Sequence, residues 1–458
     1  MSKKYNFEYI VIGSGPAGSA AALALAKGKK RVALIEKNHF GGSNINTRDI
    51  PYALSLDFSN TFSKLSHYPE FRNQDPTFSL PTLLTRELNT ILAIGKDYKK
   101  LFENAGVICL NGYANFIDAH TIAIGTKKFT SANFILATGA HLKITDIVGT
   151  DIVNYLTPET ALKVRRIPKA ILVVGAGSTG CEIANYFAEL GSKVILMESA
   201  ERILPREDKE VSETLTNYFT KKFDMMVLPH CKVIALEKDR EGKCVIFRNA
   251  NSEKMIRIEN VVLATGSEPI LDYGLENAGV KYKETGIMVN KLFGTSAKNI
   301  YAIGDCLGKD SSTELTNYEG TILASNLLSK AKNIVNYNGF TRLVKTYPEV
   351  ATVGFNESDL IRLKRKYKKA LINLTELPIS KIDNLEYGFV KLLSDKNGHL
   401  LGATIVAPNA EYIINEIAIA IRHRLSILEI ASTPHIINNY SYLIKLATKK
   451  LLGKKYRH

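Results

Sequence analysis

Gly13-Ser14-Gly15-Pro16-Ala17-Gly18 and Gly175-Ala176-Gly177-Ser178-Thr179-Gly180 decide the fold of this chain. A single GxGxxG is a weak signal. Each copy here follows a short β-branched apolar run, Tyr9–Ile12 or Ala170–Val174, and precedes a helix-forming stretch. Each then leads through a second apolar run, Val32–Ile35 or Val194–Met197, to an acid, Glu36 or Glu198. That is the complete βαβ dinucleotide-binding unit, twice. Its glycines permit a tight turn and let a pyrophosphate approach the helix N-terminus. The acid accepts hydrogen bonds from the adenosine ribose hydroxyls. A carboxylate at Glu198 suits a free 2′-hydroxyl and repels a 2′-phosphate, so NADH is expected over NADPH; Arg202 and Arg206 downstream moderate that preference. Two such units on one chain predict a two-nucleotide redox enzyme.

Working outward, each unit closes with a buried strand and a tight turn, Ala137-Thr138-Gly139 in the first and Ala264-Thr265-Gly266 in the second. The repeat marks an internal duplication. A third landmark, Tyr301-Ala302-Ile303-Gly304-Asp305, places a carboxylate at a strand end, where it can hold the ribityl hydroxyls of FAD. Thr313 to Thr316 then begin a helix whose positive end would stabilise an anionic reduced flavin. Between these landmarks the pattern predicts a helix over Leu83–Asn104 and short strands at Val107–Ala114, His120–Ile124 and Phe129, with a separate strand from Asn133. A linker helix is expected over 149–168. From about 340 the chain reads as α+β, with strands at Val350–Val353, Gly388–Leu393 and Leu401–Ile405 and helices at Ala410–Arg422 and Tyr440–Leu452.

At 458 residues the chain is too long for one core and predicts two to four domains. Its 45% hydrophobic and 23% charged residues are ordinary for a globular protein. No apolar run approaches the roughly 18 residues that span a bilayer. The start, Met1 to Tyr5, lacks a signal-peptide core, so a cytoplasmic protein is expected. The five cysteines show no metal or redox spacing, and no metal is expected; Cys306, beside Asp305, is the one nearest a cofactor position. The net charge of +15 is concentrated at Arg362–Lys369 and Lys449–His458. Without a nucleic-acid motif this reads as solvated surface. The tail helix can touch a membrane surface or pack on a partner subunit, and the sequence leaves both open.

The order of these motifs, with Gly41-Gly42, Glu182, Tyr347–Gly354 and Ala407-Pro408-Asn409-Ala410, resembles the flavoprotein disulfide reductases. The resemblance covers nearly the whole chain. It implies an α/β fold with two Rossmann-like domains, for FAD and NAD, and a C-terminal α+β dimerisation domain. The implied division is 1–148 for the first part of the FAD domain, 149–271 for the NAD(P)H domain, 272–339 for the remaining central part and 340–458 for dimerisation. The implied FAD set is Gly13, Gly15, Pro16, Ala17, Gly18, Glu36, Lys37, Gly42, Ser43, Ala114, Thr138, Gly139, Gly304, Asp305 and Thr313. The implied NAD set is Gly175, Gly177, Ser178, Thr179, Gly180, Glu198 and Gly266. A homodimer is implied as well.

The departures carry the functional argument. The family's redox loop reads GGTCxNxGCxPxK; here it is Gly41-Gly42-Ser43-Asn44-Ile45-Asn46-Thr47-Arg48-Asp49-Ile50-Pro51-Tyr52-Ala53. Asn44 and Asp49 replace both cysteines, and Ala53 replaces the lysine that pairs with Glu182 beside the flavin. The family's C-terminal His-Pro-Thr-x-x-Glu, matched here to Ile437–Tyr442, has neither histidine nor glutamate, although His435 lies two residues earlier. Thiol–disulfide exchange needs a thiolate and a base to tune it, and residues 39–49 contain no cysteine at all. The expectation is an FAD-dependent NAD(P)H:acceptor oxidoreductase. Its small-molecule acceptor is a quinone, metal ion, dye or oxygen, and its catalytic residues are Glu182, Arg48, Asp49 and Tyr52. Asn44, Arg48, Asp49 and Tyr52 would line the second flavin face, with the arginine suited to a quinone oxygen gaining charge; the same four also read as a self-satisfied polar plug. The alternative function is a non-catalytic FAD-binding structural or regulatory homodimer.

Overall fold

The computed structural model describes residues 5–65, 77–144, 147–238, 242–250, 252–309 and 312–453. The last five residues of the basic tail lie outside them. The helices, in chain order, are α1 (Pro16–Lys27), α2 (Gly42–Asn46), α3 (Asp49–Leu65), α4 (Leu80–Asn104), α5 (Pro158–Ala161), α6 (Ser178–Glu189) and α7 (Lys209–Phe223). They continue with α8 (Thr313–Leu328), α9 (Glu357–Arg362), α10 (Pro378–Ile382), α11 (Ala410–His423), α12 (Ile427–Ser432) and α13 (Tyr442–Leu452). Two compact units form. The first comprises Met1–Ser55, Ser79–Lys143 and Gly266–Asn336; the second comprises Leu56–Phe78, Ile144–Thr265 and Tyr337–His458.

In the first unit a parallel sheet runs in the order Ile108–Asn111, Val32–Glu36, Phe7–Ile12, Lys127–Leu136, with Ile300–Ala302 beyond. Val32–Glu36 is buried along its whole length, as a parallel strand covered on both faces requires. Ile10 pairs with Phe134, and Phe134 with Ile300, so the first fingerprint strand, the Ala-Thr-Gly strand and the third landmark lie side by side. One expectation is corrected here. Lys127–Leu136 is a single ten-residue strand, not a short one at Phe129 followed by another from Asn133. Its first half forms a hairpin with Thr121–Ile124 and its second half enters the parallel sheet. Ser131 and Asn133 at the joint are hydrogen-bonded to each other (2.7 Å), and these polar residues hid the continuity. Helix α1 packs on α8, and a side chain at Gly320 of α8 would collide with the Ala17 carbonyl.

In the second unit Met226–Leu228, Lys193–Met197, Ala170–Val174 and Asn260–Leu263 form a parallel sheet in that order. The expected linker helix over 149–168 shrinks to the four residues of α5. Thr157 caps its start and Pro158 opens it, while Leu156 bridges Val262 as an extended edge residue. The C-terminal part is a five-stranded antiparallel sheet, ordered Thr341–Val344, Glu349–Gly354, Leu400–Ala407, Phe389–Ser394, Lys368–Asn373, with α11 and α13 packed on it. Thr341–Val344 and Lys368–Asn373 went unexpected because arginine and lysines mask their apolar alternation.

Lys391, in the middle of Phe389–Ser394, is fully buried. Its ammonium contacts Asp208 (2.6 Å) and Glu210 (2.9 Å), at the start of α7, and Glu357 (3.1 Å), at the start of α9. Lys369 approaches Glu210 and Glu357 from outside (3.3 and 3.0 Å). Burial works against the Glu210 carboxylate, but the hydrogen bond from Lys391 wins and holds it at about 2. The same acids hold Lys391 above the usual lysine range, against its own burial. A buried lysine is tolerable only with such partners.

Candidate functional site

The two fingerprints repeat the same backbone hydrogen bonds. The Gly13 and Gly175 amides donate to the carbonyls of Ile35 and Met197, both at 2.8 Å. Ala137 and Ala264 donate to Ile12 and Val174, again both at 2.8 Å. Gly13 and Gly175 have φ of +103° and +94°, and a side chain at either would strike the Ala137 or Ala264 carbonyl. Only glycine serves there. Gly15 and Gly177 are the N-caps of α1 and α6, without side-chain caps, and a Cβ at either would meet nothing within 4 Å. Open space against uncapped amides at a helix N-terminus is what a pyrophosphate requires, so both cradles fit a dinucleotide.

Each acid is bound into its own loop. Glu36 accepts from the Ser14 amide (3.1 Å), the Ser14 hydroxyl (2.7 Å) and the Asn38 amide (2.9 Å). Glu198 accepts from the Ala176 amide (2.7 Å), the Ser199 hydroxyl (3.1 Å) and the Ala200 amide (2.8 Å). In both units the clamp spans 22 residues. A carboxylate offers about four acceptor sites, so each acid keeps capacity for a ribose hydroxyl. Arg202 is engaged with Glu201 and the carbonyls of Pro205 and Glu207. Ser178 is exposed at the start of α6 and Lys37 is exposed beside Glu36.

The loop of the family's redox positions closes directly on the first cradle. The Gly41 amide donates to the Ser14 hydroxyl (3.0 Å), and a Cβ at Gly42 would lie 2.8 Å from Gly15 Cα. Asn44 of α2 donates to Asp49 of α3 (2.7 Å) and to Thr313 of α8 (3.2 Å), and the Thr313 hydroxyl donates to the same Asp49 oxygen. Three helix ends thus meet in one hydrogen-bonded triad. Of the four residues expected to share a pocket, the structure joins Asn44 to Asp49; Arg48 is exposed and Tyr52 is buried. Thr313, expected as a flavin neighbour, belongs to the triad. Ser43 is exposed and Ala114 is buried at the start of its strand.

Thr138 donates to the Ile270 carbonyl (3.3 Å) and lies 3.4 Å from the Tyr273 hydroxyl. Gly139 and Gly266 both have open space where a Cβ would stand. Beside Asp305, the Gly304 amide donates to Glu319 of α8 (3.0 Å), a buried acid that sequence reading missed because it lies 15 residues along. Glu182 of α6 accepts from the Lys345 amide (2.8 Å). None of the five cysteines is in a disulfide. Burial pushes the thiols of Cys109 and Cys181 up and that of Cys306 to about 12, against any role as thiolates. His435 contacts Glu416 of α11 (2.8 Å), a His–Glu pair invisible in the sequence because its members are 19 residues apart.

Two dinucleotide cradles followed by an antiparallel C-terminal sheet define a two-nucleotide flavoprotein reductase. Residues 7–328 match the pyridine nucleotide-disulphide oxidoreductase family and residues 341–445 match its dimerisation domain; the chain belongs to that family, whose members use FAD and NAD(P)H. It is 27% identical to a mercuric reductase of Streptomyces lividans, over 97% of this chain and 96% of that one. It is 28% identical to a dihydrolipoyl dehydrogenase of Chlamydia pneumoniae, over 94% and 93%. Among solved structures it superimposes on LpdA from Mycobacterium tuberculosis with a TM-score of 0.88, at 25% identity over 97% of this chain and 99% of that one. Among the described residues no helix is long and apolar enough to cross a membrane.

Proposed function

We propose that this protein takes hydride from NADH and passes the electrons through FAD directly to a small non-disulfide acceptor: a quinone-like molecule first, with a metal ion, a dye or oxygen as the other options. One observation carries the reading: the positions of the family's paired cysteines hold Asn44 and Asp49, hydrogen-bonded at 2.7 Å. Neither side chain can make or break a sulfur–sulfur bond. The mercuric reductase and dihydrolipoyl dehydrogenase relatives therefore lend their nucleotide half and not a thiol relay. FAD, when bound, supplies a carrier for two electrons. The amides of Gly15, Ala17 and Gly18, with Pro16 opening the helix, would hold its pyrophosphate, Glu36 its adenosine ribose and Asp305 its ribityl chain. Lys37, Gly42, Ser43, Ala114, Thr138, Gly139, Gly304 and Thr313 complete that site. Gly175–Gly180, Glu198 and Gly266 hold NADH, with Glu198 set against a 2′-phosphate. Arg48, exposed, offers positive charge to a reduced acceptor oxygen, with Asp49 next to it in the hydrogen-bonded triad; Tyr52 acts from a buried position one turn on, and Glu182 orients the nicotinamide side.

The division into 1–148, 149–271, 272–339 and 340–458 belongs to the same reading, as does a homodimer built on the last segment. Anaerobic stopped-flow reduction with NADH and NADPH, followed by mixing with a quinone series, metal ions and oxygen, tests the proposal. Rapid bleaching by NADH and reoxidation by quinone without any thiol titration is expected. Flavin that stays oxidised under excess NADH, or two thiols appearing on reduction, would refute it.

A further inference from the structure

Glu189, in the last turn of α6, is buried, and neither carboxyl oxygen has a hydrogen-bond partner. Ser59 of α3, Asn185 of α6 and Tyr218 of α7 surround it, all within the second unit. Ser59 directs its hydroxyl to the Leu56 carbonyl (3.1 Å), and the Asn185 amide nitrogen is itself buried without a partner. The titratable and charged groups that face Glu189 are Tyr218, with Tyr347 behind it, and Lys64. Lys64 is exposed, its ammonium over the Tyr347 ring at 5.1 Å. Among the described residues no ion pair neutralises Glu189.

A carboxylate so placed is costly, and the protein avoids the cost by keeping the proton. Burial pushes the Glu189 carboxyl up to about 8, with Ser59, Asn185 and Lys64 pulling it only part of the way back. We propose that Glu189 is a proton-operated latch: protonated, it keeps residues 56–65 of α3 docked on α6 and α7, and its ionisation releases them. One proton leaves the carboxyl for solvent on release and no other bond changes. Helix α3 is continuous, so the released segment is the far end of the helix whose first turn carries Asp49 and Tyr52.

Once exposed, the carboxyl returns toward 4.5, the ordinary value. The docked state holds its proton up to about pH 8, so the release constant grows about tenfold per pH unit below that point and levels off above it. Hydrogen exchange of the full-length protein between pH 6 and 9 reads this directly. The ratio of wild-type to Glu189→Gln exchange at residues 56–65 cancels the intrinsic pH dependence. It is expected to rise about tenfold per unit to about pH 8 and then flatten, while the ratio for Phe7–Ile12 stays level. A flat ratio at 56–65, or an equal rise in Phe7–Ile12, would overturn the latch. Should Glu189→Gln not fold, Glu189→Met carries the same expectations.

Discussion

Replacing Lys391 with methionine keeps most of the apolar stem and removes the ammonium, its charge and its hydrogen-bond donors together. Asp208, Glu210 and Glu357 are then left facing one another with no internal cation, and Lys369 reaches only two of them. Removing one partner from a buried ion cluster costs about 3–5 kcal/mol. The Glu210 shift gives an independent scale. A fall from 4.5 to about 2 corresponds to roughly 3 kcal/mol at 1.36 kcal/mol per unit. Partial exposure of Glu210 reduces this to about 1–2 kcal/mol, from one of three acids. A loss of about 3 kcal/mol at pH 7 is therefore expected, read as a lowered thermal midpoint or urea midpoint. The pH dependence has a definite sign. In the wild type the Glu210 contribution is present above about pH 4.5 and fades as pH falls toward 2. In Lys391→Met the acids repel, so protonating them relieves the variant and its deficit shrinks between pH 7 and 4. A variant as stable as wild type at pH 7, or a deficit that grows on acidification, would refute the reasoning.

Asn44→Cys with Asp49→Cys should restore a disulfide, detected as two additional titratable thiols after reduction, because the present side chains already touch. Gly320→Val should separate α1 from α8, lowering stability by about 1–3 kcal/mol and weakening FAD retention on gel filtration. Glu198→Gln should lower the NADH-over-NADPH preference in kcat/KM by about tenfold, the order expected for losing one charge-assisted hydrogen bond. Both nucleotides should then work less well in absolute terms, because the Ala176 clamp weakens as well.

The sequence made the two cradles legible because their requirements are local: a glycine at a forced φ, an apolar strand before it, an acid 23 residues on. The Asn44–Asp49 half of the triad was legible too, since both lie in one loop. Thr313 joins it from more than 260 residues away, and no spacing rule encodes that meeting. Glu319 under Gly304, Glu416 beside His435 and the acids around Lys391 were missed for the same reason. Each is a long-range polar contact between residues whose types are common on surfaces. Tyr52 and Arg48 show the converse: joined by a hydrogen bond from the Tyr52 amide to the Arg48 carbonyl (2.8 Å), they still differ in exposure, because Arg48 precedes α3 and Tyr52 lies in its first turn.

The clamp between each fingerprint loop and its own acid bears on how these cradles meet a ligand. Glu36 and Glu198 already fix the turn with hydrogen bonds from Ser14 and Ala176, so the turn needs no nucleotide to take its shape. An arriving dinucleotide loses its own freedom but little of the loop's, and tighter binding follows from that economy. By the same logic, a change at either acid would first be felt as slackness in an empty loop.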